Sequence, residues 1–193
     1  MAITNIDICA RALIMVGAAP ITSFSDGSTE ATVAANLYED TVRDLMTRHR
    51  WRFCTGQSQL SRLVEAPKDK WDAAYQLPSD LLVLNSVRVN DFSIYYDRYQ
   101  NLVYCNASEN DEVIADYTFR ADEDLWPPYF IMAVELALAE LFAYSVANQV
   151  QTADYIAKKA MRQLAVAKNL DSQAQTNLGF DLTRFETTRR NVR

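Results

Sequence analysis

Ile8 to Phe53 reads ICARALIMVGAAPITSFSDGSTEATVAANLYEDTVRDLMTRHRWRF, two stretches of helical period separated by Gly17, Pro20 and the Asp26-Gly27 pair. Thr4 can cap a helix over about 5–17, and Gly17 suits the position just past its end. Ile6, Cys9, Ala10, Leu13 and Val16 make one apolar stripe. Ile8, Ala12 and Met15 leave little polar face beyond Asp7 and Arg11, spaced i,i+4. A second helix, about 29–49, starts at Ser28 or Thr29. Ala34, Leu37, Tyr38, Thr41 and Leu45 line its core side, with Asn36, Glu39, Asp40, Arg43 and Thr47 opposite.

Beyond Trp51 the pattern changes. Over about 81–120 the period falls towards two, in short runs divided by turn residues. Val87 and Val89 precede Asn90-Asp91, and Ile94 to Tyr96 precede Arg98 to Asn101. Leu102 to Tyr104 precede Asn106 to Asp111, and Val113, Ala115, Tyr117 and Phe119 then alternate with Ile114, Asp116, Thr118 and Arg120. Helical period returns at Pro127-Pro128. The helix over about 127–148 is apolar nearly all round, which asks for cover on several sides. Another follows over about 152–170, with the narrow stripe Ala153, Ala157, Ala160, Leu164 and Ala167, while Asp154, Lys158 and Arg162 face water. The expected fold is therefore mainly α (α+β). It has a four-helix bundle-like core with a small antiparallel β-sheet insertion, all within one domain over 1–170. An extended C-terminal arm, 171–193, follows.

A chain of 193 residues that is 49% hydrophobic is long enough for a real core. Its net charge of −6 lacks the basic footprint of a nucleic-acid binder. An acidic wall would still let a duplex slide past without gripping it. Cys9, Cys54 and Cys105 lie far apart, and one histidine gives no zinc-ligand spacing. They read as reduced, buried thiols. No signal peptide is visible at the N-terminus, and Glu135 and Glu140 interrupt the longest apolar stretch, so a soluble protein made in a reducing compartment is expected.

The chemistry-bearing residues are few. The four glycines form no phosphate-cradling loop. His49 has no identifiable nucleophile and reads as a cation at a helix C-terminus. Asp122-Glu123-Asp124 and the Glu109, Asp111 and Glu112 group could serve a metal or a two-carboxylate hydrolase, but read more simply as solvated turns. No catalytic residue, cofactor or metal is expected. Glu135 and Glu140, acids on an apolar helix, need partners: Lys158, Lys159 and Arg162 of the next helix, or neighbouring subunits. With Ala137 and Ala143 they mark a candidate subunit interface. In the arm, Phe180, Leu182 and Phe185 interleave with Arg184, Arg189 and Arg190. Arginines alone would suit a nucleic-acid tail or a soluble terminus, but apolar anchors in an arm favour docking into a protein groove.

Four pieces occur in order along the chain: Leu13 to Pro20 (LIMVGAAP), a helix running into Arg48 to Phe53 (RHRWRF), Tyr75 to Leu82 (YQLPSDLL), and Trp126-Pro127-Pro128 opening an alanine-rich helix. Together they resemble the tail tubular protein A and head-to-tail adaptor family of tailed phages. The resemblance implies a structural virion protein at the head-tail junction, made in the host cytoplasm and not an enzyme. It implies a ring of twelve copies that docks on the portal protein, extends the DNA channel and offers a platform to the next tail component, a nozzle or tail tube. Double-stranded DNA would pass through the lumen without sequence-specific binding, and no membrane is involved. The arm would be the portal-docking segment. The alternative is a virion-associated cell-wall hydrolase using one of the acidic clusters.

Overall fold

A reciprocal cap starts the first helix in the computed structural model, which describes residues 3–174 apart from 66, 69 and 91. The Thr4 hydroxyl accepts from the Asp7 amide, while the Asp7 carboxylate accepts from the Thr4 amide at 3.0 Å. The helix, α1 (Asn5–Met15), ends at Gly17, whose φ of +74° lets the Ala18 amide reach the Leu13 carbonyl at 3.0 Å. That closes the turn as a Schellman motif. Ser28 caps α2 (Thr29–Thr47) by accepting from the Ala31 amide. Its buried face is Ala31, Ala34, Tyr38, Val42, Leu45 and Met46. Leu37 and Thr41, expected in the core, are only half-buried on its flank. Two further helices among the described residues are α3 (Pro128–Ser145) and α4 (Val150–Gln173).

Among the described residues between α2 and α3 run eight strands: β1 (Thr55–Gln59), β2 (Ser61–Arg62), β3 (Ala73–Gln76), β4 (Leu81–Val89), β5 (Phe92–Ser93), β6 (Asp97–Tyr99), β7 (Leu102–Cys105) and β8 (Val113–Phe119). They form two antiparallel four-stranded sheets, ordered β1-β8-β4-β5 and β2-β3-β7-β6. The expected helix-bundle-dominated fold with a small insertion is therefore corrected. The fold is α+β, 46% helical and 21% strand, and the β region has a core of its own. Leu60, Tyr75, Leu77, Val87, Val103, Val113 and Ala115 are buried there. β1 and β2 escape a hydrophobic pattern because β1 is the polar edge segment Thr-Gly-Gln-Ser-Gln and β2 is two exposed residues. Ile94 to Tyr96, expected as a run, is irregular.

The helical core is separate, and β4 and β8 connect the two. Leu82 and Phe119 pack on the helices, while Val87, Val113 and Ala115 of the same strands sit in the β core. α3 runs through the helical core and is packed by α1, α2 and α4 of its own chain. It is long and apolar enough to cross a membrane by composition, but half of it is buried inside the protein, as a core helix is. Part of the all-round apolar pattern is thus met within one chain, while Met132, Leu141 and Tyr144 stay exposed.

Candidate functional site

Where α2 ends, the backbone turns sharply and buries Trp51, whose indole donates to the Leu45 carbonyl at 2.9 Å. Around it gather Phe130 of α3, edge-on at 5.1 Å, His49, edge-on at 4.9 Å, and Phe53, tilted at 6.2 Å. Trp126 meets Phe130 from another side at 5.1 Å and donates to the Ala121 carbonyl. Aromatic pairs at these separations add stabilisation beyond area burial. The cluster joins the RHRWRF segment to the Trp-Pro-Pro start of α3.

Against this cluster α4 sets Asp171, 2% exposed. Its Oδ1 accepts from the Tyr129 hydroxyl at 2.9 Å and the Arg52 amide at 3.3 Å, and Oδ2 lies 3.5 Å from His49 Nε2. Burial first, then the hydrogen bond to Asp171, pushes the Tyr129 phenol up to about 12, so it stays a neutral donor. Asp171 thereby clasps the last turn of α4 onto both α3 and the start of the β region. Sequence reasoning assigned Asp171 to the arm. The available signal was that Asp171 continues the buried stripe of α4 at i+4 from Ala167. His49, read as a dipole cation, has the Asp171 carboxylate as its partner.

His49, Arg50, Arg52, Thr55, Asp171 and Ser172 line a polar cleft of about 520 Å³ beside the clasp. A histidine next to a buried aspartate suggests acid–base work only if a nucleophile faces it. Both hydroxyls in the cleft are committed elsewhere: Thr55 donates to the Trp51 carbonyl at 2.6 Å and Ser172 to the Lys168 carbonyl at 2.9 Å. The arrangement fastens elements together. A larger cleft, about 650 Å³, opens in the β region between Pro67, Lys68, Trp71, Tyr99, Gln100 and Tyr104.

A second polar joint ties α2 to the end of β8. Arg120 donates to Glu39 at 3.2 Å and to Glu123 at 2.7 Å, lies over the Trp126 ring, and donates to the Ala121 carbonyl. Tyr38 donates to Glu123 at 2.8 Å. Burial works to raise the Glu123 pKa, but the hydrogen bonds from Arg120 and Tyr38 outweigh it and hold the carboxyl below its ordinary range. A general acid requires the opposite shift. In the other acidic group, Asp111 is held low first by the Ser108 amide and then by Asn90, as a turn-closing carboxylate is. Glu123 and Asp111, one carboxylate from each acidic group, are thus engaged in a joint and a turn, while Asp122 and Asp124 are exposed.

The remaining predicted residues separate. Glu135, 3% exposed, pairs with Arg11 of α1 at 3.3 Å, and not with the cations of α4. Asp7, the partner that Arg11's spacing suggested, is bonded to Thr4, and Arg11 adds only a minor pull on its carboxyl. Burial raises the Glu135 pKa against the opposing pull of Arg11. Ala143 is fully buried in the helical core. Ala137 and Glu140 are half-buried on a groove of about 290 Å³ between α2, α3 and α4. The portal-docking residues Phe180, Leu182, Arg184, Phe185, Arg189 and Arg190 lie outside the described residues.

All three cysteines are buried and unpaired, and burial lifts Cys9 and Cys54 to about 12 and Cys105 to about 11. Among the described residues no three His, Cys, Asp or Glu side chains are grouped to hold a metal ion. No protein-family model matches the chain, and no curated protein matches it in sequence.

Proposed function

We propose that the chain is a structural subunit of a phage head-to-tail adaptor, a ring that docks on the portal, continues the DNA channel and receives the next tail component. The observation that carries this reading is where the four ordered pieces of the resemblance fall. Leu13 to Pro20 closes α1 with its Gly17 turn. Arg48 to Phe53 supplies the aromatic centre and the Asp171 clasp. Tyr75 to Leu82 places Leu77 and Leu81 against the β core and Leu82 against the helical core. Trp126 to Pro128 opens α3. Each piece fixes how one part of the body is held against another, as a subunit that must keep its shape in a ring requires.

The proposed division of labour follows from the charges. A chain of net charge −6 offers a passing duplex repulsion at close range. The segment after α4 offers Phe180, Leu182 and Phe185 as apolar anchors and Arg184, Arg189 and Arg190 for carboxylates on the portal. Each anchored arm is weak alone, and repetition around a ring makes the joint firm. The test is to mix the purified protein with the portal oligomer of the same particle and image the product by electron microscopy. A ring stacked coaxially on the portal, with an open lumen, is the expected result. A protein that never co-migrates with portal, or that degrades cell wall in the absence of any assembly, would refute the reading.

A further inference from the structure

α4 carries a stripe that its own chain leaves uncovered. Tyr155, Lys159, Arg162, Val166 and Leu170 follow one another at helical intervals of three or four, which stacks them on one side. Tyr155 is 70% exposed, Val166 48% and Leu170 43%, and Lys159 and Arg162 between them are exposed. The opposite side of the helix, Ala153, Ile156, Ala167 and Asp171, is buried. Neither Lys159 nor Arg162, nor the neighbouring Lys158 and Lys168, is ion-paired with a carboxylate among the described residues. On a molecule of net charge −6 this face is a basic, partly apolar island.

A complementary surface exists elsewhere on the same chain. Asp40 on α2, with Asp122 and Asp124 beside the Glu123–Leu125 turn, is exposed and without an ion pair among the described residues. The turn is fixed to α2 by the Tyr38–Glu123 and Arg120–Glu39 contacts, so the backbone segments that carry these carboxylates are held together. We propose that the α4 stripe seats against this acidic α2 surface of a second copy. Two different patches meeting make a heterologous contact, which repeats from copy to copy and closes into a ring when the rotation allows. Duplex DNA is the lesser fit, because phosphate contacts do not use Tyr155, Val166 and Leu170 and the rest of the molecule repels a polyanion. The proposal rests on the ring reading above and specifies its subunit contact.

The contact is small. The stripe from Tyr155 to Leu170 is about 24 Å long, and a face about 10 Å wide gives roughly 240 Å² per copy. A stable pair needs about 800 Å² per partner. Pairs are therefore transient, and assembly rises steeply with concentration as contacts close on one another.

Sedimentation velocity on the full chain at low salt tests this. Wild type should assemble with concentration. Lys159→Glu with Arg162→Glu should raise the concentration required by about tenfold or more while leaving the circular dichroism unchanged. Adding Asp40→Lys and Asp124→Lys to that chain should restore assembly. Charge reversals without effect, a four-fold swap that does not recover, or a wild type that stays monomeric at every concentration would overturn the stripe as a self-contact. A chain that ignores the reversals yet still stacks on portal as a ring overturns this contact alone. A chain that never joins portal overturns the adaptor reading itself.

Discussion

Removing the Asp171 carboxylate probes whether the end of α4 is fastened or merely adjacent. Asp171→Ala deletes hydrogen bonds from the Tyr129 hydroxyl at 2.9 Å and the Arg52 amide at 3.3 Å, and the His49 contact at 3.5 Å. A hydrogen bond to a charged acceptor contributes about 1.5–3 kcal/mol. Two gains offset part of the loss. The desolvation cost of a carboxylate that is 2% exposed disappears, and the adjoining cleft gives the stranded donors access to water. The net expectation is about 2–3 kcal/mol of lost stability. For a chain of this size that is a fall in Tm of roughly 4–12 °C. Asp171→Asn keeps an acceptor in place and loses only the charge, so it should cost about 1 kcal/mol. The assay is denaturant unfolding followed by tryptophan fluorescence, paired with limited proteolysis near the end of α4. Midpoint and cleavage pattern unchanged in Asp171→Ala would refute the clasp.

Four further outcomes are expected. Thiol reagents should leave Cys9, Cys54 and Cys105 unmodified in native protein at neutral pH and label all three after unfolding, because burial lifts their pKa values to about 12, 12 and 11; mass spectrometry reads the count. Glu135, whose folded pKa burial raises, stabilises the fold fully below its ordinary value of 4.5 and loses that contribution as pH rises through the folded value. Glu135→Gln should therefore match or exceed wild-type Tm at neutral pH and flatten the decline above pH 4.5, whereas a lower neutral Tm would show that the Arg11 pair outweighs the burial cost. Ala143→Glu places a carboxylate where the side chain is fully buried and should unfold the monomer, while Ala137→Glu on the half-buried groove wall should leave it folded, both read by circular dichroism. Truncation after Ala174 should preserve Tm and abolish portal binding, but truncation after Leu170 should also destabilise the body because Asp171 goes with it.

The helices were legible because their ends carry local chemistry. Thr4, Gly17, Ser28 and Pro128 act within a few residues of themselves, and no distant contact is needed to read them. The β region was half legible. β4 and β8 have alternating apolar residues, but β1 is a polar edge strand whose place is set by pairing with β8, and a pairing partner leaves no mark on the strand's own period. The rotation of α2, with Val42 inward and Thr41 on the flank, depends on where Trp51 and α3 sit. Glu135 was legible as an acid needing a partner, yet its partner lies 124 positions away on α1, and nothing local distinguishes that arginine from the cations of α4.

The candidate site was hidden for the same reason. RHRWRF reads as a basic run with an aromatic, but folding gives its charged side chains different partners: Arg48 pairs with Asp44 at 2.6 Å, His49 meets Asp171, and Arg50 lies 3.8 Å from Asp116 on β8. A run of cations that appears suited to an external polyanion is thus largely balanced by the chain's own carboxylates. The four cations of α4 are not balanced in that way. Since both groups sit on one acidic molecule, the difference is not composition but whether the fold brings an acid within reach. Arg48 to Arg52 are therefore expected to hold subunits in shape, and α4 to bring subunits together. The two roles separate experimentally: Arg50→Ala should lower Tm without altering association, and Arg162→Glu should weaken association without altering Tm. If Arg50→Ala weakens association at unchanged Tm, the run faces a partner after all, and the division between joint and contact surface fails.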